Sequence, residues 1–331
     1  MSGGEEFRGG VAVPALINSH AHTADYVRPE YGGDKPIKEV VGDPDSLKYR
    51  LFREVDSTDG IRDFLRTSAE LGIAGVIDFR EEDIYGVERA SKARREYPGR
   101  YVILGRTDEK KPTEDKLRKL REVADGIGVP SASYYDDETL ELVKKIFQGK
   151  MRAAHVSETL KQGLEGDLER LLRLSPTLLV HGTRLSMKEL EEIGRLKIPL
   201  VMCPRSNLWF SVGIPRVATA LKKGVRLLLG TDNGGLVSPD MWRELETATL
   251  IARAEDPSFS DAKEIIGAAT LNAYEFLGMQ PIEEGARGNF VIIDGEVSGI
   301  NRSLDKYMAI VKRGGKVLYT IIEGQHFQRS S

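Results

Sequence analysis

One cysteine, Cys203, in 331 residues excludes an internal disulfide. Charge of one sign is missing as well: 48 Lys and Arg stand against 51 Asp and Glu, for a formal net charge of -3, mixed along the whole chain. No basic face is therefore available to neutralise a phosphate backbone, and nucleic acid is not an expected partner. No apolar run approaches the roughly 20 residues that a bilayer span needs. The longest, around residues 227–229 and 290–293, are strand-sized, so no membrane segment is expected. Residues 1–10 are polar and Gly-rich, without the charged-then-apolar order of a signal peptide, which predicts a cytoplasmic protein. Gln and Cys are scarce, while Lys, Arg and Glu dominate a 30% charged fraction. That bias accompanies ion-pair networks at high temperature and points to a thermophilic source. Internal repeats and low-complexity segments are also missing, so neither offers a route to function.

What is present is a rhythm. Short runs rich in Val, Ile and Leu alternate with longer charged segments of helical period, the pattern of βα units around a parallel sheet. Eight strands are predicted, at residues 12–20, 72–79, 100–106, 126–131, 152–155, 177–181, 199–203 and 226–231. Eight such units predict an α/β fold, a closed (β/α)8 or TIM barrel over residues 11–280. Ser57 and Thr58 are expected to cap a helix starting near Asp59, and Ser186 another, while Gly72 and Gly224 stand where helices should stop. Residues 23–56 show no firm period and read as a long loop lying over the active site. Past the barrel, residues 288–294 and 308–322 read as strands, the second broken at Gly314-Gly315. With residues 1–10, the segment 281–331 is expected to form a small, reduced β appendage and tail.

Four of the five histidines carry the chemistry. His20 and His22 stand two apart at the end of the first strand, where alternate side chains share a side, so both imidazoles can reach one point. His155 and His181 each end a predicted strand, at the C-terminal rim where barrel enzymes build their sites. His326 lies in the polar tail and is set aside as a solvated side chain. Asp232 ends the last strand, where an acid is costly to bury unless paired or metal-bound. Glu158, three residues after His155, has the placement of a proton shuttle that is not itself a ligand.

Together, His20-x-His22, His155-Val156-Ser157-Glu158, His181-Gly182, Cys203-Pro204-Arg205-Ser206-Asn207-Leu208 and Gly230-Thr231-Asp232 resemble the ordered signature of amidohydrolase-superfamily deaminases of the nucleobase and nucleoside type. The resemblance runs from about residue 9 to residue 288. It implies one divalent ion, Zn2+ first and Fe2+ second, held by His20, His22, His155 and Asp232, with catalytic roles for Glu158, His181 and Asp232. Three imidazoles and a carboxylate suit such an ion, which lowers the pKa of bound water to ~7. Two-metal relatives use a modified lysine near the end of the fourth strand; residues 126–135 contain none, which favours one ion. Only nineteen residues precede His20, fewer than the strands such relatives carry there, hence the reduced appendage.

The reaction implied is hydrolytic loss of an amine from a small heterocycle, a purine, pyrimidine or pterin or its nucleoside. Arg80, Arg205, Ser206, Asn207 and Trp209 are candidate pocket residues for such a planar polar ligand. Cleavage of a cyclic amide or a C-Cl bond is the alternative within enzymes, and a catalytically silent ligand-binding barrel the alternative outside them. A phosphoesterase ranks last, for want of further metal ligands. Assembly into a homo-oligomer stays open.

Overall fold

The structure is a computed structural model and describes residues 8–327. Pro14 divides the first predicted strand, because a residue without a backbone N–H cannot continue the ladder. The chain forms β1 (Gly10–Pro14) and, one residue later, β2 (Leu16–His22). Around Ala15 the backbone changes partner: Ala15 N–H donates to Asn289 O, and Leu16 N–H to Gly72 O. The two strands accordingly belong to different sheets.

The barrel continues through β3 (Ile73–Arg80), β4 (Arg100–Gly105), β5 (Gly126–Val129), β6 (Met151–Val156), β7 (Leu178–His181) and β8 (Leu200–Met202) to β9 (Leu227–Leu229) and β10 (Asp232–Asn233). All run parallel in sequence order. The last two are one barrel strand interrupted at Gly230-Thr231: β9 pairs with β8, and β10 pairs back to β2 through Asp232 opposite Ala21. That pairing closes an eight-stranded (β/α)8 barrel. Its strands are buried almost throughout, as a sheet covered by helices requires. Gly230 is obligatory at the closure, since a Cβ there would lie 2.7 Å from the backbone N and O of His20.

Helix punctuation follows the expectation in part. Ser186 caps Met187–Leu196 in a capping box with Glu189, and Gly72 and Gly224 adopt left-handed backbone where helices end. Helix Thr58–Glu70 is instead capped from one residue earlier than foreseen: Asp56 Oδ1 accepts from the backbone N–H and the hydroxyl of Thr58, and the Ser57 side chain makes no cap bond.

Two expected segments differ. Residues 23–56 are not structureless; they form a 3-10 turn, Thr23–Val27, and helices Ile37–Val41 and Leu47–Glu54. The last of these is amphipathic over only two turns, too short for its period to stand out, and buries Lys48 and Phe52. Residues 308–322 are not two strands: Lys306–Arg313 is a helix capped by Asp305, whose carboxylate accepts the Met308 N–H. The run Ala309-Ile310-Val311 looked strand-like because all three bury, but they do so against neighbouring helices. Only β12 (Val317–Ile322) remains of that pair, joining β1, β11 (Phe290–Asp294) and β13 (Gln325–Phe327) in a four-stranded antiparallel sheet. The small β appendage thus stands. The barrel proper begins after Ala15, and residues 1–7 and 328–331 of the expected appendage and tail lie outside the described residues. His326, in β13, is exposed with its ring stacked on Tyr319. Among the described residues, no helix is long and apolar enough to cross a membrane.

Candidate metal centre and active site

Strand ends converge on one point at the C-terminal mouth of the barrel. β2 carries His20 and His22, β6 ends near His155, β7 ends on His181, and β10 opens with Asp232. The β2–β3 ladder is irregular between Asn18 and Ala21, a local break that re-aims side chains beside an active site. Ring centroids lie 5.1 Å apart for His20 and His22, and 4.9 Å for both His20–His155 and His155–His181. Asp232 Oδ1 stands 3.1 Å from His20 Nε2 and 3.4 Å from His22 Nε2. Ligand atoms of His20, His22 and Asp232 lie within 4.8 Å of one another, as do those of the overlapping triads His20, His155, His181 and Glu158, His181, Asp232. All six residues expected at the centre are brought together.

Four imidazoles packed this tightly are costly unless something uses their lone pairs. The Nε2 atoms of His155 and His181 are buried without a hydrogen-bond partner. Burial pushes His20 down to about 3 and His155 well below the usual histidine value, so both are neutral near pH 7. Neutral imidazole is the ligating form. Burial alone would protonate Asp232, but the hydrogen bond from His20 and the facing His181 and His22 hold its carboxyl well below the ordinary range. Two neutral imidazoles, a third at His22 whose Nε2 faces Asp232, one carboxylate and orphaned buried nitrogens fit a divalent cation. Glu158 is of opposite character. Its carboxyl stands 3.8 Å from His181 Nε2, and burial, with the nearby Asp232 charge, raises its pKa against the opposing pull of His181. One acid kept ionised beside another pushed towards its protonated form is the usual division between base and acid.

The backbone is held out of its preferred conformations at these positions. His181, Asp232 and Ser157 have φ of +72°, +64° and +44°, a cost that surrounding contacts must maintain. Ser157 is held by Asp167, which accepts its N–H at 2.9 Å and its hydroxyl.

Outer contacts aim the ligands. Glu81 Oε1 lies 2.9 Å from His22 Nδ1, which leaves Nε2 facing Asp232. Glu81 is itself held by Lys48, whose ammonium lies 2.6 Å from Glu81 Oε1 and 3.1 Å from Asp25 Oδ1. Lys48 belongs to the segment expected to cover the site, and that segment does line the cavity, through Ile37, Val41, Lys48 and Tyr49. The cavity measures about 310 Å3 and contains His22, His155, Glu158, His181 and Asp232 in its wall.

The five residues expected to contact substrate are placed otherwise. Arg80 is sealed in the interior, its guanidinium donating to Glu81 Oε2 at 2.6 Å, and it does not line the cavity. Arg205 turns outward onto the carbonyls of Ser238 and Asp240. Trp209 is half exposed and outside the cavity wall. Ser206 and Asn207 are buried and act one step away: Ser206 Oγ donates to Asp232 Oδ2, and Asn207 Nδ2 lies 3.1 Å from His181 Nδ1. Helix Pro204–Trp209 therefore presents its buried side to the site's own residues. Glu81, Arg106, Lys48 and Tyr134, which do line the cavity, were missed. Glu81 and Arg106 directly follow the ends of β3 and β4, so the rule that found the histidines would have found them too. Lys48 carries no such signal.

The model of the Amidohydrolase family matches residues 11–326. An aminohydrolase-named protein of Methanothermobacter thermautotrophicus is 31% identical over 337 residues, covering 96% of this chain and 86% of that protein. A 5-methylthioadenosine/S-adenosylhomocysteine deaminase of Moorella thermoacetica is 25% identical, covering 86% of this chain and 73% of that one. Among solved structures, an adenosine deaminase from Xanthomonas campestris with bound zinc superimposes with a TM-score of 0.82 at 18% identity, over 97% of this chain and 81% of that one.

Proposed function

This chain belongs to the amidohydrolase family, and from that premise we propose that it is a metal-dependent hydrolytic deaminase of small amino-substituted heterocycles: purines, pyrimidines, pterins or their nucleosides. The observation that carries this reading is the pairing of Glu158, a buried acid biased towards its protonated form, with an ionised Asp232 on the histidine cluster. We assign His20, His22, His155 and Asp232 as ligands of one divalent ion, Zn2+ in the first instance. When bound, that ion supplies Lewis acidity that brings a water's pKa to ~7.

The chain's own groups then divide the proton work. Asp232 takes a proton from the attacking water and orients it. Glu158 delivers a proton to the ring nitrogen beside the attacked carbon and later assists departure of the amine as ammonia. His181, fixed from behind by Asn207, orients the group under attack. The deaminase names of the relatives support the same reading. Its setting, a cytoplasm at elevated temperature, is supported by the lone buried Cys203 and by surface ion pairs such as Arg62 with Asp59 and Glu96.

The test is ammonia release from a panel of aminopurines, aminopyrimidines, pterins and their nucleosides by metal-analysed protein. Glu158→Gln should retain the metal and lose about 10²–10⁴ in kcat. Metal without ammonia from any compound refutes the deaminase, and a fully active Glu158→Gln protein removes Glu158 from its role.

A further inference from the structure

Residues 28–56 are attached to the barrel in two ways. One is apolar: Ile37, Val40 and Val41 pack with Phe210, Val212 and Leu236 in a small cluster separate from the main core, which Phe52 joins. The other is polar. Lys48, 2% exposed, places its ammonium 3.1 Å from Asp25 Oδ1 and 2.6 Å from Glu81 Oε1. The same Glu81 oxygen lies 2.9 Å from His22 Nδ1, and the other oxygen accepts from Arg80 at 2.6 Å. A side chain from the segment over the cavity is therefore two contacts away from the histidine cluster.

A segment held by a small satellite cluster is the kind of unit that opens locally, well below the cost of global unfolding. With Lys48 seated, Glu81 is held by Lys48 and Arg80, accepts the Nδ1 proton of His22, and leaves the Nε2 lone pair of that ring turned towards Asp232. With the helix lifted, Glu81 Oε1 loses its ammonium, and the bond that sets the tautomer and aim of His22 is free to rearrange. We propose that Lys48 is a positioning residue of the metal centre and that, through Glu81 and His22, seating of residues 28–56 is coupled to metal binding. This rests on the assignment of His22 as a ligand and on no step of the reaction. Coupling is reciprocal: the factor by which seating tightens the metal is the factor by which the metal holds the segment down. Loss of an outer contact of this kind weakens metal affinity by about 10- to 100-fold, which sets the size of both effects.

The test reads amide hydrogen exchange of the full chain, metal-free and Zn2+-loaded, beside Zn2+ affinity measured by chelator competition. In the parent, Zn2+ should slow exchange in helices Ile37–Val41 and Leu47–Glu54 by about 10- to 100-fold more than in helix Lys306–Arg313 of the appendage. K48M should lose affinity by a matching factor, and Zn2+ should no longer slow exchange in the two helices. K48R, which keeps a cation, should recover part of both. V40D acts through the other attachment: a charge in the apolar cluster unseats the segment without touching Lys48, Glu81 or His22, and should weaken Zn2+ binding by a similar factor. A Lys48 that served only to stabilise the fold would leave affinity unchanged and shift exchange alike in the metal-free and loaded forms. Exchange in these helices that ignores Zn2+ in the parent, a K48M protein that binds Zn2+ as tightly as the parent, or an unseated V40D protein that does so, overturns the coupling while leaving the metal centre and the deaminase standing. A parent that binds no Zn2+ overturns the ligand assignment, and the coupling with it.

Discussion

Replacing Glu244 by glutamine should make the protein more resistant to alkali. Glu244 is fully buried on helix Met241–Glu255, where its Oε2 accepts the backbone N–H of Arg205 at 3.3 Å. It thus braces the helix that carries Ser206 and Asn207, the residues behind Asp232 and His181. The guanidinium of Arg205 comes only to 3.5 Å and is shared with two carbonyls. Burial outweighs it, and the carboxyl is pushed up from 4.5 to about 8. Between those values the folded protein keeps a proton that the unfolded chain releases, so this group's contribution to stability is full below about pH 4.5 and is lost as pH rises through about 8. At about 1.4 kcal/mol per pH unit, the full loss is on the order of 5 kcal/mol. Glutamine cannot ionise and keeps an acceptor for the Arg205 N–H. Denaturant unfolding of the metal-loaded proteins at several pH values checks this: Glu244→Gln and the parent should be similar near pH 5, and the variant ahead by several kcal/mol at pH 9. A difference that does not change with pH, or one that grows towards acid, refutes the argument.

Ser206→Ala removes a hydroxyl donor from Asp232 and should weaken metal affinity by about 10- to 100-fold, as loss of an outer contact does, measured by competition with a chelator. Lys48→Met leaves Asp25 buried without its cation and Glu81 with Arg80 alone, and should destabilise the fold by roughly 3–5 kcal/mol; an unchanged unfolding midpoint would show that the network is not closed as described. Exhaustive chelation should lower the unfolding midpoint, since an ion present at 100 times its Kd contributes about 2.7 kcal/mol, and re-addition of Zn2+ should restore it.

The sequence by itself determined the strand rhythm and the residues at the strand ends. A parallel barrel strand is buried on both faces, so it is mostly an apolar run, and its titratable residues stand out towards the end where that run stops. His20, His155, His181 and Asp232 were legible for that reason, without any knowledge of distances. Tertiary structure decided everything that depends on which way a side chain turns. Arg80 and Glu81 are adjacent at one strand end, yet Arg80 is sealed in the interior under the Phe52 ring while Glu81 faces the cavity, the two tied by their mutual ion pair. Ser206 and Asn207 lie one step behind the reacting groups rather than against substrate, because their helix packs its buried side towards Asp232 and His181. Lys48 and the strand-like run 309–311 were illegible for the same cause: a two-turn helix repeats its period too few times to announce itself, and its burial is granted by neighbours far away in the chain.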